Sequence, residues 1–154
     1  TPLPFEIEMR NGGKISFSLE LSDRTPDDLL RGDVSRDCTA LGACSAFYET
    51  TPKFLLDPGF LSFKLRMEGK WVGNIYSMVA EREGKPVLIV DALQLSPWAV
   101  NWPVRSQWIA EQALARIREW TREKNFKEVL LSRCLRRWGG IFRHFHDFPD
   151  LFFA

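Results

Sequence analysis

The chain has 154 residues, of which 45% are hydrophobic and 27% charged, a composition that excludes a disordered polymer and suits one packed domain. A formal charge of +1 and a pI near 7.7 exclude a strong general attraction to nucleic acid or acidic membranes. No apolar run reaches the roughly 18 residues of a membrane span, so none is expected.

The N-terminus reads Thr-Pro-Leu-Pro, without a basic region or an apolar core of signal-peptide type, and without an initiator Met. It therefore reads as a processed chain or as one domain, residues 1–154, of something longer. Three cysteines are an odd number, which argues against a disulfide framework and for a reducing, cytoplasmic setting. Phe5–Met9 alternates apolar and polar, Arg10–Lys14 carries an Asn-Gly turn signal, and Ile15–Leu21 alternates again. This pattern predicts a β-hairpin. Thr25 followed by Pro26 and two aspartates fits a helix start, with Gly32 expected to stop the helix soon after. Asp37–Phe47 is small and apolar, a second short helix or a packed loop, and Thr50–Gly59 holds two prolines and an Asp-Pro-Gly turn.

The central stretch is the most regular. Phe60–Met67 alternates as a half-buried strand should, Glu68-Gly69-Lys70 is a turn, and Trp71–Ala80 is a second run of strand length. Glu81–Lys85 reads as a hairpin loop, and Pro86–Leu95 is a third, β-branched strand. Pro103 opens a helix to about Lys124. Its stripe of Ile109, Ala110, Ala113, Leu114, Ile117 and Trp120 should lie on a sheet, and Asn125 is the expected C-cap. Phe126–Ser132 closes the set as a strand. A meander, a crossover helix and a further strand define an α+β (or three-layer α/β) domain with a mixed, mostly antiparallel sheet.

Several residues carry possible chemistry. Asp91 lies in the third meander strand as a candidate general base, against the plainer reading of a strand Asp on the solvent face or at a bulge. Cys38 is a candidate nucleophile if a base lies near, against the plainer reading of a small buried hydrophobe. Cys38, Cys44, Cys134, His144 and His146 offer nitrogen and sulfur ligands, but C-x5-C and H-x-H match no standard zinc spacing, so no metal is expected. Arg133–Phe153 interleaves four arginines with aromatics. That pattern suits stacking on nucleic acid, or an amphipathic surface for a partner or an anionic membrane. The plainer and preferred reading is a helix that packs its aromatics on the sheet and leaves its arginines in water. The final Phe-Pro-Asp-Leu-Phe-Phe-Ala, too apolar for a free tail, should dock on this domain, on a protein partner, or on the rest of a longer chain.

The order of hairpin, short helices, meander, long helix, strand and helix resembles the GNAT acetyltransferase fold over roughly residues 5–145. "KWVGNIYSMV" is similar to one strand of that family, and "VLIVDALQLSP" to its strand ending in V-x-P. The resemblance implies acyl-coenzyme A as cofactor, its pyrophosphate at the N-terminus of the long helix. Leu95, Arg105, Ser106 and Gln107 then become the cofactor contacts, and Asp91 and Cys38 the catalytic candidates. The chain departs from the family at the phosphate loop, which falls on Val100, Asn101, Trp102, Pro103, Val104 and Arg105. Val100 stands where the family has Arg or Gln. Pro103 and Arg105 replace its glycine and a second small residue. Glycine permits close approach of backbone N–H groups to phosphate, and proline removes one. The family's general-acid Tyr is missing, Cys134-Leu-Arg-Arg-Trp-Gly-Gly standing in that region, and its last two strands are scarcely represented in His146–Ala154. Two functions follow. The first is an interaction or binding module with a degenerate coenzyme A site, its cleft filled by Trp98, Trp102 and Pro103, needing no cofactor. The second is a diverged acyl-coenzyme A-dependent N-acyltransferase using acetyl-coenzyme A or another acyl-coenzyme A.

Overall fold

The architecture is that of a computed structural model, which describes residues 1–35, 52, 55–100 and 106–132. Its frame is a six-stranded sheet whose strands follow one another in chain order. β1 (Leu3–Glu8) and β2 (Lys14–Leu21) form the expected hairpin, with Gly12 at φ +79 in the turn and Phe5 stacked on Phe17. Next come a single 3-10 turn, Pro26–Leu30, and helix α1 (Arg31–Ser35). Two local expectations are corrected here. Thr25 occupies the cap position but its side chain makes no capping bond, the turn being closed instead by the Asp28 N–H donating to the Thr25 carbonyl. Gly32 does not stop the helix but lies buried inside it. The anchoring of its neighbours Asp28 and Arg31 offsets a propensity cost of about 1 kcal/mol.

The meander is β3 (Phe60–Met67), β4 (Lys70–Arg82) and β5 (Lys85–Leu95), all antiparallel. The β4–β5 loop shrinks to Glu83-Gly84, both at positive φ, a two-residue turn that lets the pairing run further than the charged residues suggested. β3 is not the half-buried strand that its alternation predicts. Ser62, Lys64 and four of its apolar residues are buried, because it is central in the sheet and covered on both faces. Helical turn α2 (Pro97–Val100) and helix α3 (Ser106–Glu123) lead to β6 (Val129–Leu131), which pairs parallel to β5. The predicted helix residues Pro103–Arg105 lie outside the described residues.

α3 buries Ile109, Ala110, Ala113, Leu114, Ile117 and Thr121 against one face of the sheet, and Trp120 meets Phe63 edge-on at 5.4 Å between ring centroids. α3 ends as predicted, with Asn125 at φ 59. The Phe126 N–H donates to the Thr121 carbonyl and the Asn125 N–H to the Arg122 carbonyl, the paired bonds of a Schellman cap. α3 touches both β1 and β5. On a flat sheet those strands would stand about 19 Å apart, four strand spacings, wider than one helix, so the sheet curls around α3.

Candidate functional site

Two places gather chemistry. The first is the parting of β5 and β6. The parallel pairing covers only Leu88–Val90 against Val129–Leu131, followed by one bond from the Ser132 N–H to the Val90 carbonyl, 2.9 Å. β5 continues to Leu95 with β4 on its other side. Among the described residues, Asp91–Leu95 therefore have no ladder partner on the β6 side. The cause lies at Asp91. Tyr76 pairs with Ala92 and Ser77 with Val90, so Asp91 is the extra residue of a β-bulge, which bends the strand away from its neighbour. Its side chain is exposed. The bulge reading of Asp91 thus describes its position, and nothing in its surroundings assigns it a catalytic role.

On the other side of β5, Gly73 of β4 pairs with Leu95. A Cβ built there would lie 2.4 Å from the Gln94 carbonyl oxygen and 3.0 Å from Leu95 Cδ2, so only glycine permits the approach. Of the residues expected to contact a cofactor, Leu95 is the buried last residue of β5, and Ser106 and Gln107 open α3. The Gln107 amide donates to Glu111 Oε1 at 2.9 Å. Arg105, Asn101–Val104, Cys38, Cys44, Cys134, His144, His146 and the Arg133–Phe153 stretch lie outside the described residues. Among the described residues no group of His, Cys, Asp and Glu is placed to hold a metal ion.

The second place is a buried charged cluster on the sheet face opposite α3, which the sequence reading missed. Asp28 is fully buried. Its Oδ1 lies 3.1 Å from Arg31 Nη2 and 3.0 Å from Lys64 Nζ, and its Oδ2 accepts from Ser22 Oγ at 2.6 Å. Arg31, also fully buried, donates through Nε to the Asp28 carbonyl, 2.8 Å, and through Nη1 to Ser62 Oγ. Its guanidinium stands over the rings of Phe60 and Tyr76. Lys64 lies over the Trp71 ring, 4.9 Å to the centroid. Asn74 Nδ2 donates to the Arg31 carbonyl, 2.8 Å, and Trp71 Nε1 donates to Asn74 Oδ1, 3.1 Å. Burial pushes the Asp28 carboxyl up. The Ser22 hydrogen bond, then the Lys64 hydrogen bond and charge and the Arg31 charge, outweigh it and hold the group below the ordinary aspartate value. One signal in the sequence pointed here: Ser62 and Lys64 share a face of a strand whose other face is Phe63 and Leu65. In a central strand, polar residues at that period must find partners.

No protein-family model matches the chain, and no curated protein matches it in sequence. Solved structures are similar in fold. A ribosomal-protein-alanine N-acetyltransferase from Brucella melitensis biovar Abortus aligns with TM-score 0.57 at 13% identity, over 75% of this chain and 80% of that one. An acetyltransferase from Trypanosoma brucei aligns with TM-score 0.54 at 14% identity, over 90% and 93%. A possible acetyltransferase from Clostridium difficile aligns with TM-score 0.53 at 11% identity, over 75% and 78%. At these identities the likeness is one of fold, and the chain has a GNAT-like α+β fold. Among the described residues no helix is long and apolar enough to cross a membrane.

Proposed function

We propose that the chain acts as a GNAT-like binding module whose coenzyme A cleft has lost its pyrophosphate end. The observation that carries this reading is the sequence between the end of α2 and the start of α3. Pro103 and Arg105 stand where a phosphate cradle needs small residues and free N–H groups, Val100 stands in place of its Arg or Gln, and Trp102 adds bulk between them. Pro103 supplies no N–H. A flexible Arg105 side chain, which must first be ordered, replaces fixed backbone dipoles less effectively. In this reading the partner is another protein, or the remainder of a longer chain, engaged through the aromatic Arg133–Phe153 stretch, and the setting is cytoplasmic. Calorimetry with acetyl-coenzyme A at sub-millimolar concentration should show no saturable heat. A Pro103→Gly, Arg105→Gly double variant should gain modest binding. Micromolar binding by the parent, abolished by Arg105→Ala, would overturn the reading.

The parting of β5 from β6 at the Asp91 bulge favours a second reading, a diverged acyl-coenzyme A-dependent N-acyltransferase. There the open edge of Asp91–Leu95 would hold an extended cofactor chain, a strand N–H would polarise the thioester carbonyl, and Asp91 would take the amine proton. Thermal shift with acyl-coenzyme A species separates the two, since a ligand of the native state raises the melting temperature. For the acyltransferase, Asp91→Asn should lower acyl transfer without lowering that shift.

A further inference from the structure

The two faces of the sheet are covered by different physics. α3 buries aliphatic side chains and one threonine. The segment Pro26–Ser35, which covers part of the opposite face, fully buries only Asp28, Arg31, Gly32 and Ser35, its Leu29 and Val34 being half-buried. Its Leu30 is half exposed to solvent. The segment is held by directed contacts: Asp28 to Lys64 and Ser22, Arg31 to Ser62, and Asn74 to the Arg31 carbonyl and Ser35 Oγ. Arg31, Asp33 and Ser35 make further contacts of the same polar or ring-stacking kind. Apolar burial survives small displacements, because it depends on area and not on direction. A network of buried ions does not. Its attraction is nearly offset by the cost of removing the charges from water, and water can replace each bond as soon as it enters.

The N-terminal side of this segment is a fixed point. Arg24 holds a left-handed backbone, φ 61, which is unfavourable for a residue with a side chain. Its guanidinium donates to the carbonyls of Leu55, Pro58 and Phe60 at 3.1, 3.3 and 2.9 Å. The chain is thus clasped to the start of β3 immediately before the part that is held mainly by polar contacts.

We infer that Pro26–Ser35 is a release element, pivoting at Arg24, that detaches from the sheet as a unit while the β1–β6 sheet and α3 stay folded. Release bares Ser62, Lys64, Asn74 and Tyr76, a polar face with one ammonium among aromatic rings. The inference is independent of the reading of the coenzyme A cleft, which lies at the other strand pair.

Hydrogen exchange of the intact chain, read by mass spectrometry at several low urea concentrations, tests it. Peptides across residues 26–35 should exchange about 100-fold faster than those of β3–β5 and α3, at a rate that rises with urea less steeply than core exchange does. Asp28→Asn should speed exchange at 26–35 a further tenfold or so and speed acylation of the Lys64 amine by a soluble reagent about tenfold, with core peptides still about 100-fold slower than 26–35. Exchange at 26–35 that is as slow as the core and rises with urea in step would overturn the inference. So would an Asp28→Asn chain that fails to fold, or in which 26–35 and the core exchange at the same rate, because the core must stand without this segment.

Discussion

Asp28 shows how one side chain can couple acidity to structure. Its carboxyl titrates below the ordinary value of 3.8 because Ser22, Lys64 and Arg31 favour the ionised form more than burial opposes it. A depressed folded-state value contributes stability that is complete above the unfolded-state value and is lost as pH falls through the folded-state one. The urea midpoint of the parent should therefore drop as pH falls below 3.8, with Asp28→Asn showing a shallower fall in the same range. A parallel acid profile in the two chains would remove Asp28 from that role. Gly73 makes a second test at this scale. Gly73→Ala must move the Gln94 carbonyl or part β4 from β5, and should lower stability by about 1–3 kcal/mol in chemical denaturation. Neither residue announced itself in the sequence. An aspartate in Pro-Asp-Asp-Leu reads as first-turn charge, and its burial depends on Lys64, 36 positions away in the chain (64 − 28).

Among the elements, those with a strong period were legible and those held by distant partners were not. The α3 stripe named Ile109, Ala113 and Ile117, and these are fully buried. The cap at Asn125 followed from its tolerance of left-handed backbone. Ile117→Asp should destabilise the domain by about 4 kcal/mol or more and abolish a cooperative melt, since it sets an unpaired charge between helix and sheet. A melt like the parent's would mean that the buried face of α3 is another. The 3-10 turn and α1 were less legible. Their register is set by Arg31 reaching Ser62 and by Asn74 reaching back, contacts that no local pattern encodes. The bulge at Asp91 was open in the sequence as one of two plain readings. Only the offset of Tyr76 and Ser77 against Ala92 and Val90 settles its place.

For the molecule as a whole, element order was enough to point to a GNAT-like fold, because a meander followed by a crossover helix leaves few arrangements of short, right-handed connections. Function was far less legible, since a fold of this kind carries many activities and its chemistry resides in a few loop positions. The agreement of chain order and sheet order, β1 through β6, has a consequence for synthesis. Each strand that leaves the ribosome meets an edge already laid down by its predecessor, so the sheet can grow vectorially without waiting for later sequence. Two contacts are left to form after β5 is complete. Val129 pairs with Leu88 across 41 residues (129 − 88), and α3 returns to β1. A nascent chain stalled after β5 would therefore carry a nearly finished sheet whose apolar face, with Phe17, Leu19, Phe63 and Ile75, still waits for α3. That interval, between the last antiparallel strand and the arrival of the helix, is when this protein most needs a chaperone.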